Sequence, residues 1–188
     1  MEEYNTVMYN GINLYAYIMN SEESKIIEEF RGELLALAEK LKLPKRHTRE
    51  GRVYEGRFRN NPDYSIRYKE DCGYYVTQGE RGRYSFLLGT PTKDRNEAFY
   101  LIMKQAIRFS SYSYECEHRS EFQNKWKDRF DLEYDSRKSH FEYTISKLYE
   151  SFHRFDEELI LSFTWYLNSK YDQDVWKYDY ENEEFILI

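Results

Sequence analysis

Prolines and glycines are scarce, three and eight in 188 residues, which excludes collagenous repeats and low-complexity linkers. Only two cysteines occur, Cys72 and Cys116, too few for a disulfide framework, and they read as reduced thiols. No apolar run approaches the length of a membrane span, so no contact with a membrane is expected. The acidic opening MEEYNTVMYNG lacks the basic region and apolar run of a secretion signal, which makes the cytoplasm the expected compartment. Basic charge is in deficit, 28 Lys and Arg against 34 Asp and Glu for a net charge of -6, and this opposes general nucleic-acid binding.

What the chain has in quantity is rings and charge. Aromatic residues make up 19% and charged residues 33%, a pairing that argues for a folded core rather than disorder. A chain of this length buries about 70% of its unfolded surface and needs no covalent staple. The charge is unevenly spread. Residues 42–69 hold nine Lys or Arg against three acids, whereas 156–188 hold nine acids against Lys170 and Lys177, and 1–41 hold eight acids against three bases. Such blocks are often only solvated faces, but an acidic surface also speeds association with a basic protein.

Patterning predicts the elements. Asn10-Gly11 between short apolar arms reads as a hairpin turn. Asn20 or Ser21 reads as the cap of a helix over 22–42 with an apolar stripe of Ile26, Phe30, Leu34, Leu37 and Leu41, stopped by Pro44. Three short strand-like runs, 64–68, 74–78 and 84–88, are joined by tight turns as in an antiparallel meander. Asp94 and Glu97 open a helix apolar on several sides, expected at the centre of the fold, and a second helix is expected over about 114–133 with Phe122, Trp126 and Phe130 four apart. A further helix from Ser136 carries Phe141, Ile145, Leu148, Phe152, Phe155 and Leu159, and a late hairpin around Glu181-Asn182 is expected to dock the C-terminus. The expected class is α+β: one domain over 1–188, with an antiparallel sheet of three or more strands packed against three to four helices. An N-terminal hairpin and helix over 1–43 and an acidic extension over 156–188 flank the centre.

Signatures of chemistry are missing. There is no Gly-x-Ser-x-Gly elbow, Walker loop or dinucleotide fingerprint, and Gly79-Glu80-Arg81-Gly82 reads as a tight turn. Cys116 and His118, two apart on a helix, point to different faces. Two Glu-x-x-His pairs, Glu115/His118 and Glu150/His153, match half of a di-iron carboxylate set, but no further helix offers the remaining ligands. Neither a metal nor another cofactor is therefore expected. A metal-dependent enzyme built on those pairs is kept as an alternative, and an RNA-binding stretch over 42–69, where Arg and Tyr interleave, as a weaker one.

In order along the chain come Gly73-Tyr74, Glu80-Arg81-Gly82, Glu97-x-x-Tyr100-x-Ile102, Phe109-Ser110 and Tyr114-Glu115-x-x-His118-Arg119-x-Glu121. This series resembles immunity protein family 63 of bacterial polymorphic toxin systems over about residues 65–150. The chain departs from the family pattern at Val76 and Thr77, where Tyr and Val are expected, at Leu101, where an aromatic is expected, and in lacking Asp-x-Arg-Arg after Glu121. The resemblance implies a cytoplasmic antitoxin that binds the C-terminal domain of a cognate toxin and blocks it without catalysis, so no catalytic residue is assigned. The matched polar residues Glu80, Arg81, Glu115, His118, Arg119 and Glu121 are expected to form an internal network with both signs of charge. A toxin that cuts nucleic acid would be basic, as its substrate is a polyanion. The toxin-binding segment is then expected in the acidic tail, with Asp172, Asp174, Asp179, Glu181, Glu183 and Glu184 for steering and Tyr171, Trp176, Tyr178 and Tyr180 for retention.

Overall fold

The computed structural model describes residues 8–14, 17–44, 47–48, 51–52, 64–80, 84–87, 90–125, 136–169 and 175–188. In chain order the elements are β1 (Met8–Tyr9), β2 (Ile12–Asn13), α1 (Ser21–Lys40), β3 (His47–Thr48), β4 (Gly51–Arg52), β5 (Tyr64–Lys69), β6 (Gly73–Glu80), β7 (Tyr84–Leu87), α2 (Arg95–Lys125), α3 (Ser136–Phe152), α4 (Glu157–Ser169), β8 (Trp176–Asp179) and β9 (Glu184–Leu187). The class is α+β. All described strand pairs are antiparallel: β1-β2, β3-β4 and β8-β9 are separate two-stranded ribbons, and β5-β6-β7 is a three-stranded sheet. Among the described residues the strands thus fall into four small sheets, of which only β5-β6-β7 has more than two strands. The chain divides into two compact units, 1–40 with 47–106 and 41–46 with 107–188, and the boundary falls inside α2 after Ala106. Among the described residues no helix is long and apolar enough to cross a membrane.

In the first unit, local chemistry sets the ends of the elements. Asn10 and Gly11 take φ of 48° and 79°, the left-handed pair that an Asn-Gly hairpin turn requires. Asn20 caps α1 through a reciprocal box: its Oδ1 accepts the Glu23 N–H at 2.9 Å, while its own N–H donates to Glu23 Oε2 at 2.9 Å. The buried face of α1 is Glu23, Ile27, Phe30, Leu34 and Ala38. Phe30, Leu34 and the following Leu41 of the expected stripe are buried, but the face is rotated so that Ile27 and Ala38 take the places of Ile26 and Leu37, which lie at its edges. Phe30 sets that rotation. Its ring stacks on Tyr74 at 4.7 Å between centroids and meets Phe99 of α2 edge-on at 5.6 Å, and Arg95 covers it at 5.3 Å while pairing with Glu33 at 2.7 Å. Residues 73–77 of β6 are buried without interruption, as expected of a strand covered on both sides. Tyr75 packs with Leu14 and Cys72 against the N-terminal hairpin, and burial pushes its hydroxyl up to about 12.

Two expectations for the helices are corrected. The pair expected between 95 and 133 is one helix of 31 residues through Lys125; Trp126 and Phe130 lie outside the described residues. Ser110, Ser111 and Ser113 are buried in it, and Ser111 Oγ returns a hydrogen bond to the Arg108 carbonyl at 2.7 Å. The run from Phe141 to Leu159 is two helices. α3 ends where His153 takes φ of 52°, and Asp156 caps α4 by accepting the Leu159 N–H at 3.0 Å.

Gly73 has φ of +84°, and a Cβ there would stand 2.2 Å from the Thr92 carbonyl oxygen, because Tyr74 and Thr92 exchange backbone hydrogen bonds at 2.8 and 3.0 Å. Gly73→Ala should therefore cost roughly 2 kcal/mol or more, measured by urea unfolding.

Acid should loosen the start of α1. Burial alone would raise the Glu23 carboxyl, but hydrogen bonds from the Tyr17 hydroxyl and from the Asn20 and Glu70 N–H groups, with the Lys69 charge, hold it below its ordinary 4.5. The unfolded chain thus binds this proton more tightly than the folded one. The stabilisation is complete above about 4.5 and is lost as pH falls toward the folded value. Thermal melts between pH 3 and 7 should show this loss, flattened in Glu23→Gln, which at neutral pH should cost about 1 kcal/mol.

Candidate functional site

The acidic end of the chain folds as the β8-β9 ribbon within the second unit. Alternation places Trp176 and Tyr178 on one side and Lys177 on the other, and the register opposes Trp176 to Leu187 and Tyr178 to Phe185. The inward side joins a packed set of rings. Phe141 of α3 lies flat on Phe163 of α4 at 3.9 Å, Phe185 stands edge-on to Phe141 at 6.4 Å, and Tyr178 meets Phe185 at 5.0 Å. Asn168 ties the ribbon to α4, its Oδ1 accepting the Trp176 N–H at 2.8 Å.

Side chains also build the turn. Asp179 accepts the Glu181 and Asn182 N–H groups at 2.9 and 3.3 Å and the Asn182 amide at 2.9 Å; these bonds, the Asn182 side chain foremost, hold its carboxyl below the usual range. Glu183 follows with φ of 52°, a left-handed position where a side chain is strained. Across the ribbon, Glu142 of α3 accepts the Phe185 N–H at 2.7 Å and pairs with Lys138 at 3.3 Å, and Lys138 also approaches Glu184 at 3.9 Å. Burial raises the Glu142 carboxyl despite those partners.

Beside the turn lies an open cleft of about 490 Å³. Its rim is Glu181, Asn182 and Glu183, and its wall is Glu142 with Tyr114 and Tyr143, whose rings stack at 4.2 Å. Burial also raises the Tyr143 hydroxyl. The cleft can receive a positively charged group between carboxylates and ring faces.

The expected site is therefore only partly assembled. Tyr180, Glu181 and Glu184 face solvent and Glu183 is half-buried on the cleft rim, whereas Asp179 is engaged within the turn. Trp176 and Tyr178, expected as retention anchors, are buried instead, Tyr178 against the buried Phe185 opposite it in the register and Trp176 beside Asn168 of α4. Tyr171, Asp172 and Asp174 lie outside the described residues. Of the family-like polar set, Glu115 is buried and holds Arg119 in a two-pronged pair, 2.9 Å to Nε and 2.8 Å to a terminal nitrogen. His118 tilts over the Tyr114 ring at 4.3 Å, with Nδ1 2.9 Å from the Tyr114 carbonyl oxygen. Arg81 and the side chains of Glu80 and Glu121 lie outside the description. Of the two Glu-x-x-His pairs, Glu115 is engaged with Arg119 and Glu150 with Lys147 at 2.7 Å; among the described residues no three His, Cys, Asp or Glu gather as metal ligands would. The cleft wall has no signature in the sequence. Tyr114 was visible only as a motif residue, and nothing local signals that it stacks on Tyr143.

Glu142 is the tie between wall and ribbon. Glu142→Ala leaves the Phe185 N–H without its acceptor and should cost about 2 kcal/mol by denaturant unfolding, with Glu142→Gln costing less because an acceptor remains.

Comparisons with family models, curated proteins and solved structures give no match for this chain.

Proposed function

We propose that the protein is an immunity protein, an antitoxin that binds a basic toxin domain one to one and blocks it by occlusion, with no chemistry of its own. The observation that carries this reading is the acidic turn at Glu181, Glu183 and Glu184 beside a cleft walled by Glu142 and two stacked tyrosines. Carboxylates on a projecting turn steer a cationic partner toward the site, and the effect weakens as salt rises. A Lys or Arg side chain of the partner that enters the cleft exchanges water for carboxylates and ring faces, which lengthens residence as well as speeding encounter. Placing Glu183 at a left-handed position costs backbone energy, and an anion presented at the rim is a use for it. The resemblance over 65–150 names the kind of partner, and the chemistry of the turn gives it a positive charge.

The test replaces Glu181 and Glu183 together by Gln and measures binding to the toxin C-terminal domain encoded by the adjacent gene at two salt concentrations. The expected result is affinity about tenfold lower at low salt and a shallower dependence on salt. Unchanged affinity and slope would exclude this surface, and failure of the unaltered protein to protect cells from that toxin would overturn the function.

A further inference from the structure

Helix α4 begins Glu157-Glu158 and contains no Lys or Arg in its 13 residues. Leu159, Ile160, Phe163 and Leu167 face the core of the unit. On the opposite side, where a helix in a charged chain would carry charge, stand Leu161 and Trp165, one turn apart and 67% and 71% exposed. A lone exposed apolar residue needs no explanation, but two large ones in register on a helix face form a ridge. The ridge is continuous with the acidic turn. Tyr180, 45% exposed, donates a hydrogen bond to Glu157 at 2.7 Å, so the first turn of α4 and the tip of the ribbon share one surface. Phe155 meets Tyr180 edge-on at 5.2 Å and is itself stacked on Tyr149 at 4.4 Å, which braces that junction from below.

We propose that the solvent face of α4, centred on Trp165 and Leu161, is the apolar half of the contact with the basic protein partner, and that the acidic turn is its charged half. The inference rests on the inhibitory reading above and names the anchors that reading lacked once Trp176 and Tyr178 proved to be buried. The occupant follows from charge. Glu157 and Glu158 open a helix that carries no Lys or Arg, and Tyr180 joins Glu157 to the acidic turn, so charge complementarity favours a basic occupant. A tryptophan at the centre of a contact, ringed by polar groups that exclude water, is the usual form of a binding hot spot.

The experiment uses the full chain with Trp165→Ala, Leu161→Ala and the pair, each titrated calorimetrically against the inactivated toxin C-terminal domain encoded by the adjacent gene, at two salt concentrations. Both side chains are exposed, so circular dichroism and melting temperature should match those of the unaltered protein; should Trp165→Ala not fold, Leu161→Ala alone serves the comparison. The expected result is a loss of about 30-fold or more for Trp165→Ala, with an unchanged dependence on salt, since the contact removed is apolar. Tight binding by the unaltered protein with no loss in either variant would overturn this surface and leave the inhibitory function standing. No binding by the unaltered protein would remove the function and the surface with it. Sedimentation of the protein alone as a dimer that Trp165→Ala disperses would assign the ridge to a second copy and overturn the proposal.

Discussion

Phe141 lies flat on Phe163 with ring centroids 3.9 Å apart, and this stack fastens α3 to α4. Phe185 reaches the same ring from the ribbon at 6.4 Å and Tyr166 reaches it edge-on at 5.6 Å, so α3, α4 and β9 meet at one side chain. The ribbon is short, four residues in each strand, and a two-stranded hairpin of that size is marginal alone. It stands because Phe185 and Trp176 are buried against the helices, and the acidic turn is held out by what lies beneath it. In the first unit Phe30 has the same office between α1, β6 and α2.

A core made from tyrosines brings hydroxyls inside. Some are answered: Tyr17 donates to the Glu23 carboxylate at 2.7 Å, and Tyr180 to Glu157. Others are not, since the Tyr178 hydroxyl and the Trp176 indole nitrogen find no partner among the described residues. Each costs desolvation energy that ring packing must offset. Charged groups meet the same demand for pairing. Glu115 is buried with Arg119 closed over it, so the most specific part of the family-like motif is, on this geometry, a clasp along one helix rather than a free surface.

The proposed contact therefore divides labour within one unit. Carboxylates on the turn act at a distance, where solvent screens them, and the exposed ridge on α4 acts only on touching. The hydrogen bond from Tyr180 to Glu157 keeps the two at a fixed spacing.

Turns and caps were legible in the sequence because their chemistry is local. Asn10-Gly11 favours positive φ in a tight turn, and Asn20 and Asp94 each accept N–H groups two or three residues ahead, whereas the cap at Asp156 was hidden by the apolar run that continues across it. The alternation of Trp176 and Tyr178 likewise foretold a strand, though not which side would be covered. What faces the core was decided elsewhere. Ile27 rather than Ile26 lies on the buried face of α1 because Phe30 must meet Tyr74, a residue 44 positions along the chain. The ridge and the rings changed places for the same reason: Leu161 and Trp165 have the composition of a core and stand in water, whereas Trp176 and Tyr178 sit among acids and are buried. Periodicity states that a residue has a preferred face, but burial is a property of two surfaces, and the second surface arrives only with the tertiary fold.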